Sequence, residues 1–292
     1  MEGIIFEKGY KENEALRSSF NELALHTFGI EFETWYRHGY WTDKYQPYSF
    51  IHQGKVIANV SVNLLNLVIE GESKRAIQIG TVMTHPDYRN QGLSRKLMEI
   101  VLEDFNYVDL VYLFANKTVL DFYPKFGFKA MDEIQFSTNY NFKPTNLSRI
   151  RKLDGTNPED LSFIYTIASN RKNVSSTFGT IGSEELLLFY SIMVFSHDLY
   201  YFEEEKVLVI FQKEDDTIHL YDIVSTEEVD IQLIVNRIAS PEIRRIIFHF
   251  HLDNCEFLIT KEIHQSSNVL FIKNLTNVTL PKKFKHPITS QA

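Results

Sequence analysis

The chain is predicted to belong to the α/β (α+β) class, as two tandem units that are each a mixed, largely antiparallel sheet flanked by helices. Three observations predict this. Its 292 residues, 44% of them hydrophobic, suffice for two cores of ordinary domain size. Strand-like runs come in threes separated by turn residues, and each trio is followed by a helix and one further strand. Between the two series, in NFKPTNLSRIRKLDGTNP around Pro144 to Pro158, the sequence turns polar and loses its period.

The elements follow in order. Residues 11–28 place Leu16, Phe20, Leu23 and Phe28 at helical spacing, with acids near the start, which predicts a helix. An aromatic stretch comes next (Phe32, Trp35, Tyr36, Tyr40, Trp41). Tyr48–His52, Val56–Ile69 and Ala76–Met83 then read as an antiparallel meander with turns at Gln53-Gly54 and Glu70-Gly71-Glu72. Leu93, Leu97, Val101 and Phe105 predict a helix over Gln91–Phe105. A strand at Leu110–Ala115, a short helical segment at Thr118–Lys125 and a turn at Gly127 complete the first half. In the second half, Leu161–Ala168 and Glu184–Phe195 read as helices, the latter with Ser183 as N-cap. Leu199–Phe202, Val207–Gln212 and Ile218–Val224 form the second meander, followed by a helix at Glu227–Ile238 and a strand at Arg244–Phe250. The architecture repeats without obvious identity of sequence. The tail LPKKFKHPITSQA reads as a loosely ordered terminus.

Composition narrows the function. Thirty basic and 38 acidic residues give a net charge of -8, which argues against nucleic acid or an anionic membrane as partner. A cationic amine would be drawn to such a surface, with the steering screened beyond roughly 8 Å. Cys255 is the single cysteine, so an intrachain disulfide is excluded, Cys-rich zinc patterns are absent and no metal is expected. The first residues do not read as a secretion signal, and the most apolar run, Leu186–Phe195, falls short of the ~20 residues a membrane span needs. A cytoplasmic location is expected, in which Asn-x-Ser/Thr triplets such as those at Asn59, Asn116 and Asn146 are chance.

One segment carries chemistry. In GTVMTHPDYRNQGLSRKLMEIV a strand runs into a proline turn, and Arg89-Asn90-Gln91-Gly92-Leu93-Ser94 opens an amphipathic helix. Such a turn leaves backbone N–H groups unpaired at the positive end of a helix dipole, a site for a phosphate or pyrophosphate that Gly92 lets approach the main chain. Arg89 and Arg95 add positive charge. The bland alternative is a glycine that serves the turn alone.

The hexapeptide RNQGLS resembles the Arg/Gln-x-x-Gly-x-Gly/Ala loop of the GNAT acetyltransferase superfamily, with Ser94 in the final small position and HPDYR just before it. A second block, ANKTVLDFYPKFGF at 115–128, resembles the family's Asn-x-x-Ala-x-x-apolar-Tyr-x-Lys-x-Gly-Phe segment. The resemblance covers roughly residues 3–140. It implies acetyl-CoA as acyl donor, with the pyrophosphate on the loop amides formed by Arg89, Asn90, Gln91, Gly92, Leu93, Ser94 and Arg95. It also sets Val82, Met83 and Thr84 beside the pantetheine and acetyl carbonyl, with Asn116 toward the thiol. Tyr123 matches the family's general acid; the bland reading is a core aromatic. A phenol of pKa ≈ 10 stays protonated at neutral pH and can supply the departing thiolate with its proton. Glu31, Glu33 and His38, in the aromatic segment expected to line the acceptor pocket, are candidate bases, as is a water relay.

In the second half the corresponding loop reads Ser225-Thr226-Glu227-Glu228-Val229-Asp230, without glycine and with three acids that would repel a pyrophosphate. The expectation is two tandem GNAT-like domains: 1–145 catalytic, 146–292 degenerate. This is similar to the enhanced-intracellular-survival type of acetyltransferase without its sterol-carrier-like third domain, so that type's substrate and base do not carry over. The expected reaction is direct acetyl transfer to a primary amine of a small molecule or peptide. The alternatives are a non-catalytic acyl-CoA-binding sensor or scaffold, and a second half that acts as lid or specificity module. Acceptor identity and any homo-oligomer stay open.

Overall fold

The computed structural model describes residues 3–145, 149–253, 259–264 and 266–292. Cys255 and Asn146 lie outside the described residues. The first half runs β1 (Ile4–Lys8), α1 (Glu14–Phe28), α2 (Glu33–Arg37), β2 (Tyr45–His52), β3 (Lys55–Ile69), β4 (Glu72–Thr84), α3 (Leu93–Asp104), β5 (Leu110–Asn116), β6 (Lys129–Met131) and β7 (Ile134–Asn139). The second runs β8 (Ile150–Leu153), α4 (Pro158–Ala168), β9 (Phe178–Ile181), α5 (Glu184–Met193), β10 (Leu199–Phe202), β11 (Val207–Glu214), β12 (Thr217–Val224), α6 (Ile231–Ile238), β13 (Arg245–Phe248), β14 (Thr260–Ile263) and β15 (Asn268–Asn274).

Local chemistry sets most boundaries. Asn13 caps α1 by accepting from the Leu16 N–H at 3.2 Å, and Gly29 ends it at φ 71. Asn157 caps α4, and Pro158 takes the first helical position, where a missing N–H costs nothing. Some local details differ from expectation. Helix α6 starts at Ile231 rather than Glu227, because the Asp230 carboxylate accepts from the Leu233 N–H at 3.1 Å. Ser183 stands at the expected N-cap position of α5, but its hydroxyl bonds Thr180 and Ser290 rather than a helix N–H. The segment Thr118–Lys125 forms two 3₁₀ turns, Lys117–Val119 and Tyr123–Phe126, rather than one helix.

Two sheets form the two layers. One has the order β1-β2-β3-β4-β5-β15-β6, with β9 prolonging the edge beside β3; the other has the order β14-β7-β13-β12-β11-β10-β8. In each, three antiparallel strands (β2-β3-β4 and β10-β11-β12) lead through a helix (α3 or α6) to a parallel neighbour, β5 or β13. The predicted architectural repeat is therefore present. Beyond it the halves exchange strands: β15 lies antiparallel along all of β5, and β7 lies antiparallel along β13. Segments 1–145 and 146–292 thus each hold a strand of the other's sheet.

The halves also share core. Trp35 and Trp41 pack with Phe32, Tyr45 and, from α5, Phe189; Leu153, Leu161 and Leu188 join the same cluster. The Trp35 indole N–H donates to the Glu185 carbonyl at 3.0 Å, and Lys44 pairs with Glu184 and Glu185. The aromatic segment is largely interior, because its rings fill the seam between α1, α2 and α5. No helix among the described residues is long and apolar enough to cross a membrane.

The tail is not loose. Phe284, Lys285, His286, Thr289 and Ser290 are all buried. Lys285 pairs with buried Glu133 at 3.2 Å, the Thr289 hydroxyl donates to Asp222, and the Ser290 carbonyl accepts from Gln78 at 2.8 Å. Its basic, proline-containing composition hid this because the buried charge, Lys285, takes its partner Glu133 from a distant segment. His286 is neutral: its Nδ1–H donates to the Pro287 carbonyl, which leaves Nε2 to accept from the Tyr112 hydroxyl at 3.1 Å.

Burial holds the His286 and His249 imidazoles down at about 3 and His251 at about 4, below an ordinary 6.5. As pH falls below about 6.5 the unfolded chain takes up these protons first, so stability should drop progressively and the loss should end near pH 3. Thermal midpoints should fall between pH 7 and pH 5, before carboxylates titrate; a flat profile there contradicts the assignment. His286→Asn should reduce the slope.

Candidate active site

Strands β4 and β5 define the site by parting. Their parallel ladder runs from Ala76–Leu110 to Ile79–Leu113 and stops, although β4 continues to Thr84 and β5 to Asn116. The far edge of β5 is closed by β15 and that of β4 by β3, so only the gap between β4 and β5 opens. Val82 and Thr84 are half-buried along it, and Met83 is buried.

The parting begins at a β-bulge. Asn59 faces Met83 and Ser61 faces Gly80, so Val60 alone lies opposite both Thr81 and Val82. Thr81 has φ 50, in the left-handed region that a β-branched residue avoids at a cost of about 1–3 kcal/mol. Nothing in the residue type marks this bend, since position 81 is not a glycine.

The mouth of the gap is the turn before α3. Asn90 (φ 62) and Gly92 (φ 76) both take left-handed conformations, and a side chain at Gly92 would meet open space. No side chain caps α3, whereas Asn13, Asn157 and Asp230 cap α1, α4 and α6. The first-turn N–H groups of Leu93, Ser94 and Arg95 are therefore free of side-chain acceptors at the positive helix end. At the equivalent place in the second half the Asp230 carboxylate occupies the helix end. One half leaves the helix end without a side-chain cap and the other fills it with a carboxylate.

The remaining loop side chains hold the turn. The Thr84 and Ser94 hydroxyls are 2.6 Å apart, joining the end of β4 to the start of α3. Arg89 Nε donates to the Thr84 carbonyl at 3.3 Å, Gln91 to the Asp87 carbonyl at 3.4 Å, and Tyr88 meets His52 Nδ1 at 2.6 Å. The Arg95 guanidinium lies 5.6 Å from the Phe126 ring centroid, bringing α3 against the turn that carries Tyr123.

Tyr123 is 5% exposed, packed against Phe122, Phe128 and Phe271. Its hydroxyl has no hydrogen-bond partner among the described residues, and burial pushes its pKa up to about 12. Asn116, exposed at the end of β5, accepts from the Thr118 N–H at 3.0 Å, leaving its amide N–H₂ available. Two of the three candidate side-chain bases, Glu31 and Glu33, are otherwise engaged. Glu31 accepts from the Glu33 and Thr34 N–H groups and Glu33 pairs with Arg17 and Arg37, which commits both to the geometry of α2. Among the described residues, no group of three or more His, Asp or Glu side chains could hold a metal ion.

Residues 12–131 match the acetyltransferase (GNAT) domain family. No curated protein matches the chain. Three solved structures resemble it over nearly its whole length. A probable N-acyltransferase from Enterococcus faecalis V583 is 17% identical, with 93% of this chain and 72% of that one covered and a TM-score of 0.65. Eis1 from Mycobacterium abscessus is 15% identical (93% and 73% covered, TM-score 0.58). A GCN5-related N-acetyltransferase from Kribbella flavida is 14% identical (94% and 72% covered, TM-score 0.57). At such identities the likeness is one of fold, and it spans both halves. The sequence match sets a GNAT acetyltransferase domain at one end of the chain, and the likeness of the whole chain to these structures is one of fold. Residues 12–131 carry that domain.

The helix end makes a test that needs no knowledge of substrate. Inorganic pyrophosphate at low salt should raise the thermal midpoint of the protein, and Gly92→Asp, which sets a carboxylate before the free amides, should weaken that binding by ~10-fold or more. Equal binding by both proteins would remove the α3 terminus as the anion site.

Proposed function

We propose that this protein transfers an acetyl group from acetyl-CoA directly to a primary amine. One observation carries the reading: an uncapped helix terminus with two left-handed residues stands at the mouth of a gap between parallel strands. In this reading the amides of Leu93, Ser94 and Arg95 hold the pyrophosphate, with Arg89, Asn90, Gln91 and Gly92 shaping the turn around it. The pantetheine enters between β4 and β5, beside Val82, Met83 and Thr84, with Asn116 at the thiol end. A main-chain N–H from this stretch of β4 faces the thioester oxygen and stabilises the developing oxyanion.

The amine nitrogen attacks the carbonyl carbon, the C–N bond forms, and the C–S bond then breaks. Tyr123 gives its phenolic proton to the departing thiolate and recovers one from solvent; the amine loses its proton to water. A phenol near pKa 12 suits this role because it remains protonated throughout the neutral range. The second half, whose helix end Asp230 fills, takes no part in holding the cofactor and supports the first through β15 and the shared core.

A coenzyme A release screen across amine classes tests the reading. Tyr123→Phe should lower turnover by ~10²-fold or more with acetyl-CoA affinity nearly intact. Wild-type rates in that variant would take Tyr123 out of the mechanism. No calorimetric heat with acetyl-CoA would sink the proposal, and binding without amine-dependent thiol release would favour a sensor. The rate should show no alkaline loss from Tyr123 below pH ~11, because the acid form declines only as pH rises through about 12.

A further inference from the structure

We infer that Asn59 and Tyr45 are positioning residues that hold Thr81 in its left-handed conformation and so aim the last residues of β4 into the gap. The inference deepens the transferase reading and rests on it for its kinetic readout. Thr81 sits at φ 50 at the bulge, where glycine is at ease and a β-branched residue is not, so contacts from elsewhere must hold it there. Two such contacts exist. Asn59 Nδ2 donates to the Thr81 carbonyl at 2.8 Å, and the Tyr45 hydroxyl lies 2.8 Å from the Thr81 Oγ1.

The Asn59 amide cannot turn away. Ser49 donates to its Oδ1 at 2.8 Å, and its second N–H goes to the Ser61 hydroxyl at 2.9 Å. Because the one Ser49 hydrogen is spent on Asn59, the Tyr10 hydroxyl must donate to Ser49, 2.6 Å away. A flipped amide would set its oxygen against the Thr81 carbonyl, which can only accept. Asn59, Ser49 and Ser61 are 0% exposed, so water cannot take over these bonds. The chain therefore places an ordered polar string, Tyr10–Ser49–Asn59–Thr81, across β2, β3 and β4. Its end lies at the residue where β4 bends away from its regular register, next to the Val82–Thr84 segment. A string that served packing alone would have no reason to end on a strained carbonyl.

The test uses Asn59→Leu, close in size, and Tyr45→Phe, each alone and combined with Thr81→Gly, in the full chain. Asn59→Leu should lower kcat by roughly 10- to 100-fold while the KM for acetyl-CoA stays within about twofold, since the α3 terminus is untouched. Tyr45→Phe should act in the same direction more weakly. Thr81→Gly should restore most of the loss, because glycine adopts the bulge geometry unaided. Amide hydrogen exchange at Val82, Met83 and Thr84 should speed up in the single variants and return toward wild type with Thr81→Gly. That readout needs no turnover, so it decides the inference even if no amine is ever acetylated. Wild-type kinetics and exchange in Tyr45→Phe and Asn59→Leu would overturn it, as would failure of Thr81→Gly to rescue a variant that still binds acetyl-CoA. Should Asn59→Leu not fold, the Tyr45→Phe pair, which deletes one hydroxyl, decides alone.

Discussion

The end of the hydrogen-bonded ladder at Ile79–Leu113 is the constraint on which the rest of this structure depends. Parallel strands that stay paired leave no room for a ligand, and strands that part expose main-chain groups needing another partner. Here the parting is confined. Antiparallel strands grip β4 and β5 on their outer edges, so separation occurs only between them, at the end that faces the open terminus of α3. A gap lined by backbone and closed at its mouth by free amides suits a long, flexible ligand with a diphosphate in its middle.

Holding such a gap open needs support from outside the first half. Strand β15 arrives from the far end of the chain to cover β5, while β7 leaves to cover β13. The tail then runs between the sheets, tying Glu133, Tyr112, Gln78 and Asp222 together through Lys285, His286, Ser290 and Thr289. An element that bonds both sheets couples their stability, and its buried neutral imidazole, His286, makes that coupling sensitive to acid. The second half, whatever else it does, is physically part of the first half's sheet.

Much of the fold was legible. Both meanders, the helices α1, α3, α4 and α5, and the repeat of their order appear in the hydrophobic period, because each buries one face against a neighbour close in sequence. The loop from Arg89 to Arg95 was legible because a glycine turn opening a helix is a local event. Less visible were β1 and β9, which are short, and β15, which is interior to its sheet but takes both neighbours, β5 and β6, from remote segments. The start of α6 was misplaced by a cap bond, Asp230 to Leu233, that competes with three preceding residues able to enter a helix. Glu31 and Glu33 were open in one dimension between a base and a satisfied contact, and the structure engages both at α2.

By itself the sequence determined the local chemistry: where helices start, where a glycine frees the main chain, and which side chains stand near an anion site. Those features depend on residues within a few positions of one another. Tertiary structure alone decided that Thr81 adopts a left-handed bend without a glycine, that a basic tail is buried, and that the halves trade strands. Each of these rests on pairing between residues far apart in the chain, Asn59 with Thr81, Lys285 with Glu133, and β15 with β5, which no local pattern encodes.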